Sequence, residues 1–490
     1  MTPILNTPYR KWFLWALAIL VITSFFSVGY HNHDEHFQIL EFCNYKMGLS
    51  SANDLPWEFP SRIRPAVQPF IAYCFAQPLN TIGLYDPFVL AFLLRLMMAV
   101  LSWWAMCRLI LMLLPDFNTQ RGKNLFVLCS FFIWFVPYVS VRFSAENFAA
   151  VLFCFALSLL LQIDKNTSGR HIGKLLLAGI LLGFAWFSRV QLGFAYIGLL
   201  AWILFIRKWP FRTWFLLGLS TAVAIGLNVV IDYWLYAEWV FTPYNYFDVN
   251  ILHDKAASFG ETPFWGYFNL FIMNGVPPLS IVLLLLYFRG TWKQPLHLFS
   301  ILCITFFLGH FLIGHKEMRF LYPLMFPFIY LVAVGIESLI EKVPGKKVYN
   351  IGFKILVFMN IGLLLYKAFT PAQETVSYYK FMYKKAKENK VTLLCIGESP
   401  YTQVTLPVNF YKHKNLEIQV VDAPENLPAA IDNIQNDRQT YLYNPRMIDM
   451  SILGDHSAER VYSSLPDWLL KFNFNNWQER TRIGTIYKVD

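Results

Sequence analysis

Apolar runs long enough to cross a lipid bilayer recur from near residue 12 to near residue 369, and they limit this chain to few folds. About 20 apolar residues span the hydrocarbon as a helix, which satisfies its own backbone polar groups where no water is present. Eleven such runs fall near 12–29, 86–114, 125–140, 147–163, 173–187, 191–206, 212–231, 271–288, 296–313, 320–339 and 350–369. Composition agrees: 15% of residues are charged, against roughly 25% in soluble globular proteins. The expected architecture is an α-helical polytopic membrane protein with about eleven transmembrane helices over residues 1–369. The first run lacks a small-residue cleavage site and reads as a span rather than a signal peptide. The net charge of +10 is read against lipid, since no basic stripe interleaved with aromatics marks a nucleic-acid partner. The seven cysteines are scattered and odd in number, giving neither a disulfide framework nor a CxxC metal site.

Loop charges set the orientation, because short cytoplasmic loops are enriched in Lys and Arg. With the N-terminus inside, the inner segments carry Arg10, Lys11, Arg121, Lys123, Lys165, Arg170, Lys174, Arg207, Lys208, Arg212, Arg289, Lys293, Lys342, Lys346 and Lys347. The one N-x-S/T sequon, at Asn166, falls on the same side. The outer side holds two long loops, 30–85 and 232–268, and the short segments "VRFSAEN", "SRVQ" and "GHKEMR". Acids, arginines, histidines and aromatics gather there, so the unusual polar residues face one side and the routine basic ones the other. An odd number of spans places the tail, 370–490, outside. It opens with a helical "YYKFMYKKAKENK", then has strand-like runs at 391–397, 416–422, 439–444 and 484–490, as a small α/β domain would.

The stretch "HNHDEHFQILEF" places Asp34, Glu35 and Glu41 hard against the bilayer surface. If residues 34–48 form one helix, Asp34, Gln38 and Glu41 share a face, and Phe37, Leu40 and Met47 another. Such a helix along the interface can hold a carboxylate against a lipid-linked substrate. An N-cap and first-turn acid cluster fits the same residues, and so does a metal site of His31, His33, Asp34 and His36. In "GHKEMRFLYP", Lys316 and Arg319 lie beside His310 and His315, where they can clamp a phosphate or merely snorkel to the interface. Arg142 and Arg189 adjoin other short outer connections, and Arg95 lies within a span, where a charge is costly. In "LPWEFPSRIRP", Trp57 and Glu58 precede Arg62 and Arg64, a mix suited to sugar contact or to an interfacial anchor.

Several of these stretches together resemble the family 22 glycosyltransferases. "HDEHFQILEF" is similar to that family's D-E-x-x-Q-x-x-E motif, and "WEFPSRIRP" to its Trp-Glu…Ile-Arg element. "VRFSAEN" resembles its Arg-x-x-Ser-Asn-x-x-Glu segment, and "HKEMRFLYP" its His-Lys-Glu-x-Arg-Phe signature. "DYWLYAEWVFTPYNYFDVN" and "SFGETPFWGYF" fall where the family has its second outer loop. The likeness covers roughly residues 10 to 345 in the family's order, nearest to its glycosylphosphatidylinositol subgroup. The chain departs from the pattern at Pro65, at Ala145 and after Arg189.

The resemblance implies a GT-C fold and an inverting transfer of mannose from a polyprenyl-phosphate donor to a glycolipid or glycan hydroxyl, outside the cytoplasm. Carried onto this chain, Asp34 becomes the general base, and Glu35 orients it or contacts the sugar. His315, Lys316, Arg319 and Arg189 would hold the donor phosphate. Gln38, Glu41, Trp57, Glu58, Arg64, Arg142 and Glu146 would line the sugar and acceptor site. No metal or other cofactor is expected, since the leaving group is already a lipid phosphate. The residues point weakly to a bacterial inner membrane rather than the endoplasmic reticulum. A transferase for another lipid-phosphate sugar and a transporter or flippase are the competing readings.

Overall fold

A computed structural model describes residue 4 and residues 6–163, 171–342, 347–445 and 450–490. Lys165, Asn166, Arg170 and Lys346, which entered the orientation argument, lie outside the described residues. Helices form over every expected apolar run, but not as eleven unbroken spans. Among the described residues, four segments are long and apolar enough to cross a membrane: 87–116, 211–236, 318–340 and 351–369. Apolar helices at 145–160, 172–188, 190–206 and 298–311 are shorter.

The interruptions have local causes. The run expected at 125–140 divides into Gln120–Phe132 and Phe135–Ser140. The Asn360 side chain repairs that break, donating to the Phe132 carbonyl at 2.7 Å and accepting the Trp134 amide at 3.0 Å. A buried helix break needs such a partner for its freed backbone groups. The run at 271–288 divides at Gly275–Pro278 into Gly266–Asn274 and Leu279–Lys293.

Small residues let some helices approach closely. The helix Leu279–Lys293 packs on Met325–Lys342. There a Cβ on Gly290 would run into the Leu331 carbonyl, and one on Gly335 into the Leu286 carbonyl. The helices also carry the two sets of loops to opposite ends. The helix Ala145–Leu160 starts beside Glu146, and Ile172–Ser188 ends at Arg189. Their other ends lead to the side where the Arg207 guanidinium donates to the Ile163 carbonyl, 2.8 Å, and Tyr330 to Asp116, 2.9 Å.

The tail forms a helix, Thr375–Glu388, and a five-stranded sheet. Its strands are β1 (Val391–Ile396), β4 (Leu416–Val421), β5 (Gln439–Asn444), β6 (Ala458–Ser463) and β7 (Thr485–Val489). A separate two-stranded ribbon pairs β2 (Thr402–Gln403) with β3 (Leu406–Pro407). The large sheet has the order β4-β1-β5-β7-β6, with β1 parallel to both its neighbours and β7 antiparallel to both of its own. A contiguous apolar core runs from Phe13 through Phe37 to Tyr379, Val391 and Tyr411, so the sheet is packed onto the membrane part.

The glycine pair sets a stability test. Gly335→Ala should lower the thermal stability of the detergent-solubilised protein by about 1–3 kcal/mol through overpacking. Gly352→Ala, whose new Cβ meets nothing within 4 Å inside a helix, should leave the melting temperature unchanged or raise it slightly, since Ala is the better helix former. Equal melting temperatures for the two variants would remove the close helix contact as a source of stability.

Candidate active site

The first outer loop is not one helix. After the Asn32 side chain caps it by accepting the Asp34 amide at 3.0 Å, a single turn covers His33–Glu35. A π turn follows over His36–Leu40, and α-helix resumes at Glu41–Lys46. A π turn takes in an extra residue, so everything after it is rotated relative to an unbroken helix. This corrects the expected face of Asp34, Gln38 and Glu41. Glu41 is fully buried and turned elsewhere: its Oε1 lies 3.0 Å from His36 Nε2 and accepts the Phe410 amide at 2.8 Å. It ties the loop to the C-terminal domain rather than lining the site. Gln38 does reach the site side, donating to Glu58 at 3.1 Å.

Acids and arginines from five distant segments converge there. Arg319 donates to Asp34 Oδ2 at 2.6 Å and grips Glu317 through Nε at 2.6 Å and Nη2 at 2.9 Å. Its Nη1 is also 3.7 Å from Glu146 Oε1. Arg64 lies 3.8 Å from Asp34 and 3.5 Å from Glu58. Arg189 is buried with Nη2 3.0 Å from Glu146, an ion contact without hydrogen-bond alignment. Its Nε and the Nε of Arg64 are buried without hydrogen-bond partners. Arg142 is held deep by the Ser27 and Gly29 carbonyls and stands 4.0 Å from Glu35. Gly29 makes that cradle possible with φ +87°, a conformation that favours glycine.

The two neighbouring acids sit in opposed environments. Burial pushes Asp34 up, but Arg319 and Arg64 pull it further down, so it stays ionised below the usual carboxylate range. Glu35 is pushed up to about 7, chiefly by burial and also by Glu146, with Arg142 opposing. Glu317 ends below its ordinary value, because Arg319 and His315 outweigh its burial. Adjacent carboxyls with separated pKa values are what acid–base work requires.

The other expected residues divide. His315 Nε2 is 3.1 Å from Glu317 and so joins the cluster through that acid. Lys316 is buried with Nζ turned to the Ile313 and Thr262 carbonyls, 2.6 and 3.2 Å, and desolvation lowers its pKa. Trp57 stacks on Phe259 with centroids 6.4 Å apart, under Lys255. Arg95 donates to the Ser24 carbonyl at 3.0 Å, satisfying its charge within the span through backbone. Arg62 pairs with Glu238.

The three histidines of the first loop diverge. His31 meets Tyr138 at 3.1 Å, His36 faces Glu41, and His33 Nδ1 is buried without a partner. Among the described residues no group of three His, Cys, Asp or Glu stands ready for a metal. Gln191 and Tyr246, hydrogen-bonded at 2.8 Å, line a cavity of about 20 Å³ beside Arg64 and Arg189. Nothing in the sequence singled out these two, and Glu317 was visible only as one letter of its motif.

Comparison with known proteins places the chain in a family and a fold. The sequence pattern described as the Alg9-like mannosyltransferase family matches residues 12–413. The bovine GPI alpha-1,2-mannosyltransferase 3 is 24% identical over 97% of this chain and 85% of its own. Arabidopsis thaliana mannosyltransferase APTG1 is 23% identical over 89% of this chain and 81% of its own. A probable Dol-P-Man:Man(7)GlcNAc(2)-PP-Dol alpha-1,6-mannosyltransferase of Schizosaccharomyces pombe is 25% identical, over 71% and 62%. Among solved structures, ArnT from Cupriavidus metallidurans bound to undecaprenyl phosphate superposes with a TM-score of 0.52 at 11% identity, covering 98% of both chains. That likeness establishes the fold, GT-C. With its match across most of its length, this chain belongs to the Alg9-like mannosyltransferase family and is a membrane glycosyltransferase.

Proposed function

We propose that the protein moves mannose from a polyprenyl-phosphate donor to a hydroxyl of a glycolipid or glycan, forming an α-mannosidic bond by inversion. The reaction takes place on the extracytoplasmic face, with the N-terminus in the cytoplasm and the C-terminal domain outside. The observation that carries this reading is the Asp34–Arg319 hydrogen bond of 2.6 Å between the first and last outer loops. It sets a carboxylate for the acceptor beside a guanidinium for the leaving phosphate. The dolichol-phosphate-mannose named for the fission-yeast relative and the undecaprenyl phosphate named for ArnT support a lipid-phosphate donor.

In the transfer, the acceptor oxygen forms its bond to the mannose anomeric carbon while the bond from that carbon to the phosphate oxygen breaks. The electron pair leaves with the lipid phosphate, and the acceptor proton passes to Asp34. Arg319, Arg189 and Arg64 stabilise the charge growing on the phosphate. Without donor, Asp34 is quenched by its ion pair with Arg319. A phosphate competing for that guanidinium frees the carboxylate and raises its basicity, so base and donor are coupled. His315 and Lys316 border the same loop, with Gln38, Glu58, Trp57, Arg142 and Glu146 supporting or lining the sugar side. No step requires a metal, because the lipid phosphate departs with arginine compensation.

Two measurements test these roles. Reconstituted with polyprenyl-phosphate mannose and a mannosylated glycolipid, Asp34→Asn should lose about 10²–10⁴-fold in turnover. Unchanged turnover would remove Asp34 as the base.

Glu35 binds a proton more readily in the folded chain than in the unfolded one. Its contribution to stability is therefore full below about pH 4.5 and is lost as pH rises to about 7. The thermal stability of wild type should accordingly fall relative to Glu35→Gln across that window, by on the order of 3 kcal/mol. A gap between the two proteins that does not change with pH would show that Glu35 titrates normally.

A further inference from the structure

The C-terminal sheet has a topological switch. From β1 the chain crosses to β4 on one side and then returns past β1 to β5 on the other. In open sheets with parallel strands, the crevice outside the carboxyl ends at such a point is where ligands bind. Here that crevice holds a cavity of about 280 Å³. Glu398, Ser399 and Thr402 line it from the segment after β1, Tyr443 from the end of β5, and Arg482 from the approach to β7. The size is close to the lower end of ligand pockets, roughly 300 Å³, and suits one or two sugar rings better than a nucleotide.

The far wall of the cavity is His33, the residue before Asp34. Its ring borders the cavity, with Nδ1 buried and without a partner. The rest of the lining mixes hydroxyls, the Gln403 amide, the Tyr443 ring, a few small apolar residues and an exposed ion pair, Arg482–Glu398 at 3.2 Å. Carboxylate and guanidinium groups take paired sugar hydroxyls, and an aromatic face takes the apolar face of a ring. No lysine and no second arginine lines the cavity, so the lining does not favour a phosphate.

We infer that this cavity binds the neutral glycan portion of the acceptor, delivering its terminal hydroxyl past His33 to Asp34. The inference rests on the transferase reading above and assigns the C-terminal domain the acceptor side of that site. The donor enters from the arginine side of Asp34, so the two substrates approach the base from opposite directions.

Two variants test it in the full-length protein held in nanodiscs. Glu398→Ala/Arg482→Ala removes an exposed pair, and Thr402→Trp fills the cavity from an exposed position. Each should raise the KM for the glycolipid acceptor by about tenfold or more, the scale of one or two lost charge-assisted hydrogen bonds. Donor KM and kcat at saturating acceptor should stay as in wild type. Calorimetric titration with methyl α-mannobioside, which needs no turnover, should show binding to wild type and its loss in both variants. Binding without any transfer from polyprenyl-phosphate mannose would sink the transferase reading and keep the cavity as a glycan site. Normal transfer with wild-type acceptor KM in both variants, or no disaccharide binding to wild type, would overturn the cavity assignment alone.

Discussion

Taking charge out of water at the end of a helical bundle is expensive, and this fold gathers nine buried or half-buried charged side chains in one place. Asp34, Glu35, Glu58, Glu146 and Glu317 face Arg64, Arg142, Arg189 and Arg319. Desolvating a single ion costs several kcal/mol, and removing one partner of a buried pair costs about 3–5 kcal/mol. The acids and arginines therefore hold one another in register. They come from chain positions as far apart as 34 and 319, so their mutual neutralisation also sets how the outer loops are arranged. Stability alone does not demand this, because apolar residues of similar size would pack as well or better. The acids and arginines largely satisfy one another, yet buried guanidinium N–H groups stay unpaired at Arg64 and Arg189, which supports the donor phosphate proposed for this end of the bundle.

The small size of the cavity at those arginines bears on how the anion arrives. About 20 Å³ admits roughly one water, far less than a sugar phosphate. On the proposed mechanism, donor entry parts the carboxylates from the arginines, with Arg319 as the pivot because one guanidinium bridges Asp34 and Glu317. The masked base is thus a consequence of charge balance rather than a separate device. If Asp34 is the proposed base, its pairing with Arg319 keeps it weakly basic until a phosphate takes up the guanidinium.

Much of this was legible from residues alone, and the rest failed for identifiable reasons. Period and polarity located the apolar runs, and the tail strands at 391–397, 416–422, 439–444 and 484–490 match β1, β4, β5 and β7. β6 was not visible because "AERVYS" alternates weakly and carries charge. Helix breaks were missed where a remote side chain repairs them, as Asn360 does at Ile133, since a tertiary hydrogen bond leaves no local pattern. The motif acids and arginines were found, but their pairing was not: Glu317 grips its neighbour Arg319 two residues away, which spacing rules for helices would never propose. The π turn at His36–Leu40 is the plainest case, because its one-residue shift moves Glu41 off the face that a regular helix predicts.

That shift also ties the C-terminal domain to the loop that carries Asp34 and Glu35. The π turn brings His36 and Glu41 together at the five-residue spacing of its own hydrogen bonds, and both are then enclosed by the tail. His36 is stacked between Tyr30 and Tyr411, with centroids at 5.0 and 5.5 Å, and Glu41 accepts the Phe410 amide. Tyr30 in turn donates to Gln403 at 2.6 Å, and Asn409 to Asp54 at 3.1 Å. Asp34 and Glu35 therefore stand between two anchors, the arginines on the bundle side and the aromatic stack on the domain side. If Asp34 is the proposed base, it must meet its substrate within a fraction of an ångström, and residues near 410 supply its loop with a second support from the far end of the chain.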